Sequence, residues 1–186
     1  MKKINLQNLQ KHYDENLCNR TFHYELTNGE VIDVKFYVEN LCHLLGLQHI
    51  YNHRKHYLGL SGYTKIKKYN ITDEKIKKHN QSAYNFIKMR LAHFHEISTL
   101  MQQGKFLKFY QDRTRPISKI RADFILYEDN KEYILHLFLI RENINTNEYV
   151  PTSFVVKSKN DKTANQYMNN QEYKTIKNFE IFYNEK

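Results

Sequence analysis

The sequence lacks an apolar run of about 18 residues, the length that a membrane-spanning helix requires. Its first residues, Met1–Gln7, turn polar too soon for a signal peptide. Its two cysteines, Cys18 and Cys42, show no C-x-x-C spacing, so reduced thiols are expected rather than a disulfide. Together these absences predict a cytoplasmic protein with no membrane partner.

Several motifs of familiar enzymes are also missing. Without a G-x-G-x-x-G or a Walker loop, the sequence offers no support for a dinucleotide or P-loop fold. Without a G-x-S-x-G elbow, a carboxylate pair or a cysteine–histidine spacing, it does not match the familiar hydrolases. Any enzyme chemistry must therefore come from a sparse set of residues, and no cofactor is expected.

Histidine is plentiful, and three histidines have a spacing that suits a metal. His49, His53 and His56 would align at i, i+4 and i+7 on a helix. Gly46 and Asn52 weaken that helix, and no H-E-x-x-H motif accompanies the histidines. A solvated basic loop is the favoured interpretation, and no metal site is predicted.

Acidic residues are outnumbered, which leaves a formal net charge of +9. A basic protein attracts polyanions and gains salt-dependent affinity from each phosphate that it neutralises. Nucleic acid is the predicted partner on this ground. The alternative is that abundant Lys, Asn, Ile and Tyr reflect a biased genome.

The order of the predicted elements favours an α+β fold in a single domain, residues 1–186, with a helical insertion at about 51–104. Two alternating segments flank Asn28–Gly29, a strong hairpin signal, and antiparallel strands dominate the second half. A long helix is predicted over Ser82–Gln103. The predicted elements are a helix over Asn5–Leu17, a loop or short helices over 51–69, strands at 21–26, 31–37, 119–127, 133–140, 149–156 and 175–183, and a short helix within 161–173.

An apolar segment after the hairpin, Phe36–His49, encloses His43. On a helix, Leu41, Leu44 and Leu45 would share one side, and His43 would lie at the edge of that buried face. A histidine in this position can touch both the core and a cleft. The alternative is a core helix with an enclosed histidine.

Cleavage of RNA is a chemistry that this sparse set can perform. It needs a base for the 2′-hydroxyl proton, an acid for the leaving oxygen, and cations or donors for the charge on the phosphorane. The catalytic candidates are His43, Arg121, Ser153 and Tyr149. The alternative for Tyr149 and Ser153 is an ordinary strand start, with Pro151 confined to that start or to a bulge.

Cations and aromatic residues alternate between Lys105 and Arg121. Aromatic rings stack on unpaired bases while cations hold phosphates. The alternative is that the same rings belong to the core. Lys105, Lys108 and Lys119 are the predicted RNA-binding residues of this stretch.

At about residues 20–183 the chain resembles the fourth of the phage-type nuclease families in the barnase/EndoU/colicin/RelE-like (BECR) superfamily. The resemblance lies in the hairpin and in four segments: Asn40–Leu47, Lys119–Leu126, Tyr149–Phe154 and Asn170–Gln171.

The resemblance implies a curved antiparallel sheet with packed helices and a metal-independent, toxin-like endoribonuclease of phages and other mobile elements. It implies His43 as base or acid, Arg121 and Lys119 as phosphate-binding cations, and Ser153 and Tyr149 as donors. Gln171 would add a polar contact to the RNA, and nothing matches a barnase-like glutamate.

Two further readings stay open. The chain could be a non-catalytic nucleic-acid-binding or phage accessory protein. Its positive charge would also suit an acidic inhibitor or immunity protein as a partner.

Overall fold

The computed structural model describes residues 3–50 and 57–183. The chain forms two units, described separately here. The helical unit comprises residues 1–18 and 37–96, and the sheet unit comprises residues 19–36 and 97–186. The single-domain organisation stays a prediction.

The helical unit is built from short amphipathic helices. In the first, α1, Leu6 and Tyr13 are buried, and the Asn5 side chain caps the helix by accepting a bond from the Gln7 N–H. Thr72 and Asn80 cap two later helices in the same way. The helices are α1 (Leu6–Asn16), α2 (Leu41–Leu44), α3 (Gly59–Lys68), α4 (Asp73–His79) and α5 (Gln81–His93).

The described residues of the sheet unit form an eight-stranded sheet, one α-helix, α6 (Ile97–Gln103), and a 3-10 turn at Gln111–Arg113. The order across the sheet is β7-β3-β4-β5-β6-β2-β1-β8, and the described pairings are antiparallel except that of β2 with β6. The strands are β1 (Arg20–Leu26), β2 (Val31–Lys35), β3 (Lys105–Lys108), β4 (Phe124–Asp129), β5 (Tyr133–Arg141), β6 (Glu148–Ser158), β7 (Glu172–Lys174) and β8 (Ile176–Tyr183).

The sheet curls on itself. Strands β1 and β3 are separated by four strands in the sheet order, yet the rings of Tyr24 and Phe106 lie 4.8 Å apart. The predicted α+β class, the curved sheet and the early hairpin are confirmed. The sheet is mixed rather than wholly antiparallel, because β2 and β6 run parallel.

The two faces of the sheet carry different residues. Because cross-strand partners share a face, Phe124 of β4 lies on the same face as Leu139 of β5. The other face carries a separate apolar cluster that includes Phe109, Ile125 and Phe138. The sheet itself therefore separates any side chain on the face of Phe124 from that apolar cluster.

Several predicted boundaries differ from the structure. The helix predicted over Ser82–Gln103 is divided into α5, a 3-10 turn at Phe94–Glu96 and α6. The strand predicted from Lys119 begins at Phe124, because residues 119–123 belong to the preceding loop. Residues 161–170 form turns rather than a short helix, whereas α3 agrees with one of the two alternatives predicted for 51–69, a loop or short helices.

Within the described residues, no helix is both long and apolar enough to cross a membrane.

Cys18 and Cys42 are buried free thiols. Burial raises the pKa of each thiol to about 12, so neither is ionised near neutral pH.

Candidate functional site

A cleft of about 410 Å³ opens at one end of strands β3 to β6 in the sheet unit. Its lining residues come from the end of β3, the residue before β4, the end of β5 with the following turn, and the start of β6. They are Lys108, Asp123, Arg141, Ile144 and Tyr149. Antiparallel pairing brings these strand ends together although they are up to 41 positions apart in the chain.

Aromatic packing sets the position of the cleft residues. The fully buried Phe124 ring contacts the Tyr149 ring, with centroids 5.5 Å apart. The Lys108 Nζ lies 4.3 Å from the centroid of Phe124. The strand register is consistent with these contacts, because Lys108 is the cross-strand partner of Phe124 and Tyr149 is that of Arg141. Lys108 thus lies against Phe124, Arg141 lies against Tyr149, and the two rings contact each other.

Arg141 and Tyr149 form the most constrained pair of the cleft. Arg141 donates to the Tyr149 phenolic oxygen from Nε at 2.9 Å and from Nη2 at 2.7 Å. With two bonds accepted, the phenolic proton of Tyr149 is directed towards another acceptor. Burial raises the pKa of Tyr149 despite the opposing effect of Arg141, so the phenol stays protonated near neutral pH.

Asp123 supplies the carboxylate of the cleft. Its Oδ2 accepts the Arg141 backbone N–H at 2.8 Å, and its backbone N–H donates to the Leu139 carbonyl at 2.8 Å. Both bonds fix the end of β5 against the start of β4. The carboxylate therefore has a fixed place beside the cations.

The chemistry that this arrangement suits is phosphate binding. Two cations face one carboxylate, and guanidinium groups bind phosphate oxygens with paired donors. A protonated phenol adds a neutral donor that can stabilise charge or transfer a proton.

A family model matches residues 5–184, and its description is phage-Barnase-EndoU-ColicinE5/D-RelE like nuclease 4. The chain belongs to this family. It is thus a nuclease of the BECR type, its substrate is nucleic acid, and the resemblance deduced from the sequence is confirmed. Searches of curated proteins and of solved structures found no match.

Two of the residues predicted from the sequence lie in the cleft of this nuclease, namely Tyr149 and Lys108. Lys105 is exposed at the start of β3 and pairs with Tyr127, a residue of the opposite face. Ser153 is buried and pairs with Phe138, also on that opposite face. The structure thus separates Ser153 from Tyr149, and the catalytic role of Ser153 stays a prediction.

Arg121 and Lys119 are exposed in the loop before β4. The Arg121 carbonyl accepts a bond from Thr152 Oγ1 at 3.4 Å. Gln171 is buried, and its amide binds both backbone groups of Tyr110, accepting from N at 2.7 Å and donating to O at 3.2 Å. The structure gives Gln171 a local structural partner, and its predicted contact with RNA is not tested.

His43 lies in the helical unit, on α2. Its neighbours Leu41, Leu44 and Leu45 are fully buried, as predicted, while His43 itself is exposed. Its role as base or acid stays a prediction.

Of the three histidines with metal-like spacing, only His49 falls within the described residues; His53 and His56 lie outside them. Among the described residues, no group of three metal-ligating side chains is close enough to bind an ion.

Sequence reasoning missed Arg141 and Asp123. A signal for Arg141 existed, because it directly follows the apolar run of β5 and thus stands at the end of a central strand. Asp123 has the matching position immediately before β4. When two buried strands pair, polar residues at their adjoining ends lie together at the same end of the sheet.

Proposed function

We propose that this nuclease is an endoribonuclease that binds the scissile phosphate in the cleft between Lys108 and Arg141. The observation that carries the proposal is the pair of bonds from Arg141 to the Tyr149 phenol beside the Asp123 carboxylate. A cation, a protonated donor and a proton acceptor then surround one anion site.

The proposed reaction is attack of a ribose 2′-oxygen on the adjacent phosphorus. The O2′–P bond forms, the P–O5′ bond breaks, and the products are a 2′,3′-cyclic phosphate and a 5′-hydroxyl end. One proton leaves O2′ and one proton arrives at O5′. Because the nucleophile belongs to the RNA, the protein supplies only proton transfer and stabilisation of charge.

Each cleft residue has a proposed role in that reaction. Lys108 and Arg141 stabilise the negative charge on the non-bridging oxygens of the phosphorane. Tyr149, which stays protonated and is oriented by Arg141, donates to the phosphate or to the leaving O5′. Asp123 accepts the 2′-hydroxyl proton. His43 is retained as the second candidate for base or acid, since the sequence pattern proposes it independently.

The proposed reaction uses no metal ion, and cleavage in excess EDTA tests this together with the choice of RNA. A single-stranded RNA, a structured RNA and a DNA of the same sequence are incubated with the nuclease and their products sequenced by mass. We expect both RNAs to be cleaved in EDTA, to cyclic phosphate ends, and the DNA to stay intact. Equal cleavage of the DNA, or loss of activity in EDTA that Mg²⁺ restores, would refute the proposal.

The net charge of +9 supports a further proposal about the setting of this activity. A basic ribonuclease of a phage-type family is suited to a toxin-like role, held inactive by an acidic inhibitor that covers its cations. Expression with neighbouring genes of the source genome, followed by co-purification, tests for such a partner. An acidic protein that binds at low salt and blocks RNA cleavage supports the proposal; an inhibitor of cleavage that is basic contradicts it.

A further inference from the structure

The connection between β3 and β4 is the second concentration of positive charge in the sheet unit. We define the β3–β4 loop as residues 109–123, between Lys108 and Phe124. Its exposed cations are Arg113, Arg115, Lys119 and Arg121. The sequence alone leaves two explanations for such a run: a solvated surface, or a surface built for a ligand.

Both ends of the β3–β4 loop lie at the cleft. Lys108, which precedes it, and Asp123, its last residue, are lining residues. The two ends are joined by a bond from the Phe109 N–H to the Asp123 carbonyl, at 2.9 Å. The base of the loop is therefore within reach of a nucleic-acid strand that has one phosphate in the cleft.

Side-chain to backbone bonds give the β3–β4 loop a fixed internal structure. Thr114 is fully buried, and its Oγ1 donates to the Gln111 carbonyl at 2.8 Å while accepting the Ser118 N–H at 2.6 Å. The Gln111 amide returns a bond to the Ser118 carbonyl at 2.6 Å, and Ser118 Oγ accepts the Ile120 N–H at 3.0 Å. Buried hydroxyls in the loop thus replace water as partners of the backbone.

A second set of contacts fixes the base of the loop. Gln171 binds both backbone groups of Tyr110, and the Arg113 guanidinium lies over the Tyr110 ring at 3.8 Å. Ile120 and Ala122 pack against the apolar cluster of the sheet. The loop is thus ordered before any ligand binds, which lowers the entropic cost of holding one.

Most residues in the middle of the loop are exposed, and two are buried. Residues 112, 113, 115–117, 119 and 121 are exposed, while Thr114 and Ser118 are buried. The central exposed residue is Ile117, with 66% of its surface accessible, and it has cations two positions away on each side. Cations on both sides of an exposed apolar side chain match a strand whose phosphates and unpaired bases are both available.

From these observations we propose that the β3–β4 loop is a preformed strand-binding arm for single-stranded RNA. Its cations hold phosphates beyond the scissile one, and Ile117 contacts an unpaired base. The proposal rests on the proposed function for the position of the scissile phosphate, and it adds the class of substrate: RNA that is unpaired on at least one side of the cut.

Equilibrium binding tests the proposal separately from catalysis. In a Tyr149→Phe background, binding of a 12-nucleotide single-stranded RNA is measured from 50 to 300 mM salt. The test variant carries Arg115→Gln, Lys119→Gln and Arg121→Gln. The matched control removes the same charge from exposed positions of the sheet unit outside the loop, through Lys131→Gln, Lys162→Gln and Lys177→Gln. Thermal unfolding of each variant checks that the fold is kept.

We expect the slope of log affinity against log salt to fall by about 2 in the loop variant, since each lost phosphate contact on single-stranded RNA contributes about 0.7. The control should keep nearly the full slope, and Ile117→Ala should weaken binding of single-stranded RNA without changing the slope. Equal slopes for the loop variant and the control would overturn the proposal. So would a loss confined to duplex RNA, or a loop variant that binds RNA normally but no longer binds an acidic inhibitor.

If the RNA slope falls as expected while the wild-type nuclease cleaves no RNA, the strand-binding arm stands and the proposed reaction fails. If RNA is cleaved but the salt slope of the loop variant is unchanged, the proposed reaction stands and the strand-binding arm fails. The two proposals can therefore fail independently.

Discussion

The Arg141 guanidinium donates two hydrogen bonds to a single oxygen, the phenolic oxygen of Tyr149. The same guanidinium lies 5.2 Å from the centroid of the Tyr149 ring. Paired donors in one plane are a property of arginine that lysine does not share. The pair therefore orients the phenol as well as supplying charge.

The first prediction concerns this orientation. Arg141→Lys keeps the charge but loses the paired contact, so kcat should fall about 10-fold. Arg141→Gln loses the charge as well, so its kcat should fall about 100-fold. Initial rates on a fluorescent RNA measure both. Arg20→Gln is the control, because Arg20 also lies over a tyrosine ring, that of Tyr183 on β8. Full activity in Arg141→Gln would show that this guanidinium has no part in the reaction.

The second prediction identifies the base. Asp123→Asn keeps an oxygen for the Arg141 N–H but cannot accept a proton, so the rate of RNA cleavage should fall at least 100-fold. Asp129→Asn, at the other end of β4, is the control.

His43→Ala is compared in the same assay. Wild-type activity in Asp123→Asn, together with loss of cleavage in His43→Ala, would contradict the role proposed for Asp123.

The β-hairpin and the central strand could be predicted because their causes are local. Asn28–Gly29 supplies the turn, with Gly29 at a φ of 84°, where a side chain would be strained. The apolar run of β5 indicates burial on both faces, and β5 does lie between β4 and β6.

The face on which a strand residue lies could not be read from spacing. Tyr149 and Ser153 are four positions apart, which in a regular strand puts both on one face. The pairing of β5 with β6 shifts between Phe138 and Leu139, so Thr152 is an extra residue between Ser153 and Pro151. The bulge that the sequence allowed at Pro151 is present, and it sends the two side chains to opposite faces.

The grouping of the cleft residues depends on long-range pairing. Asp123, Arg141 and Tyr149 meet only because β4, β5 and β6 pair in one register. Sequence patterns show strands but do not specify which residues stand opposite one another. Arg121 and Lys119 are predicted instead from a predicted strand and from the family resemblance of Lys119–Leu126, and the structure places both residues in the β3–β4 loop.

The third prediction concerns Gln171. Replacement by Leu leaves the Tyr110 N–H and carbonyl without their side-chain partner, so the free energy of unfolding should fall by about 2 kcal/mol. Urea unfolding measures this change. Gln166→Leu, the same change at a half-buried position in the same segment, is the control and should change stability little. An unaltered midpoint for Gln171→Leu would show that the loop does not depend on this amide.

The fourth prediction concerns His136, which is buried between strands with Nδ1 3.4 Å from the Val155 carbonyl. Burial lowers its pKa to about 4, from an ordinary value of 6.5. Between those two pH values the unfolded chain binds the proton more readily than the folded one. Stability should therefore fall as the pH drops from 6.5 to 4, by on the order of 3 kcal/mol from this group.

Urea unfolding at pH 7 and pH 4 measures that loss. His12, whose pKa is also lowered by burial, and the carboxylates contribute to the total, so the quantity compared is the difference between wild type and His136→Gln. The variant should lose less stability on acidification than the wild type. Equal losses in both proteins would mean that His136 takes up its proton in the folded state.

The central claim is that the cleft at Tyr149 is the active site, and a single-turnover measurement on two tyrosine variants tests it most directly. Tyr149→Phe removes one hydroxyl from the cleft, and Tyr127→Phe removes one from the opposite face of the same sheet. RNA cleavage should slow about 100-fold in Tyr149→Phe and change less than twofold in Tyr127→Phe. If Tyr149→Phe cleaves RNA at the wild-type rate while Ser153→Ala loses cleavage, the claim is contradicted, and the active site lies on the other face of the sheet.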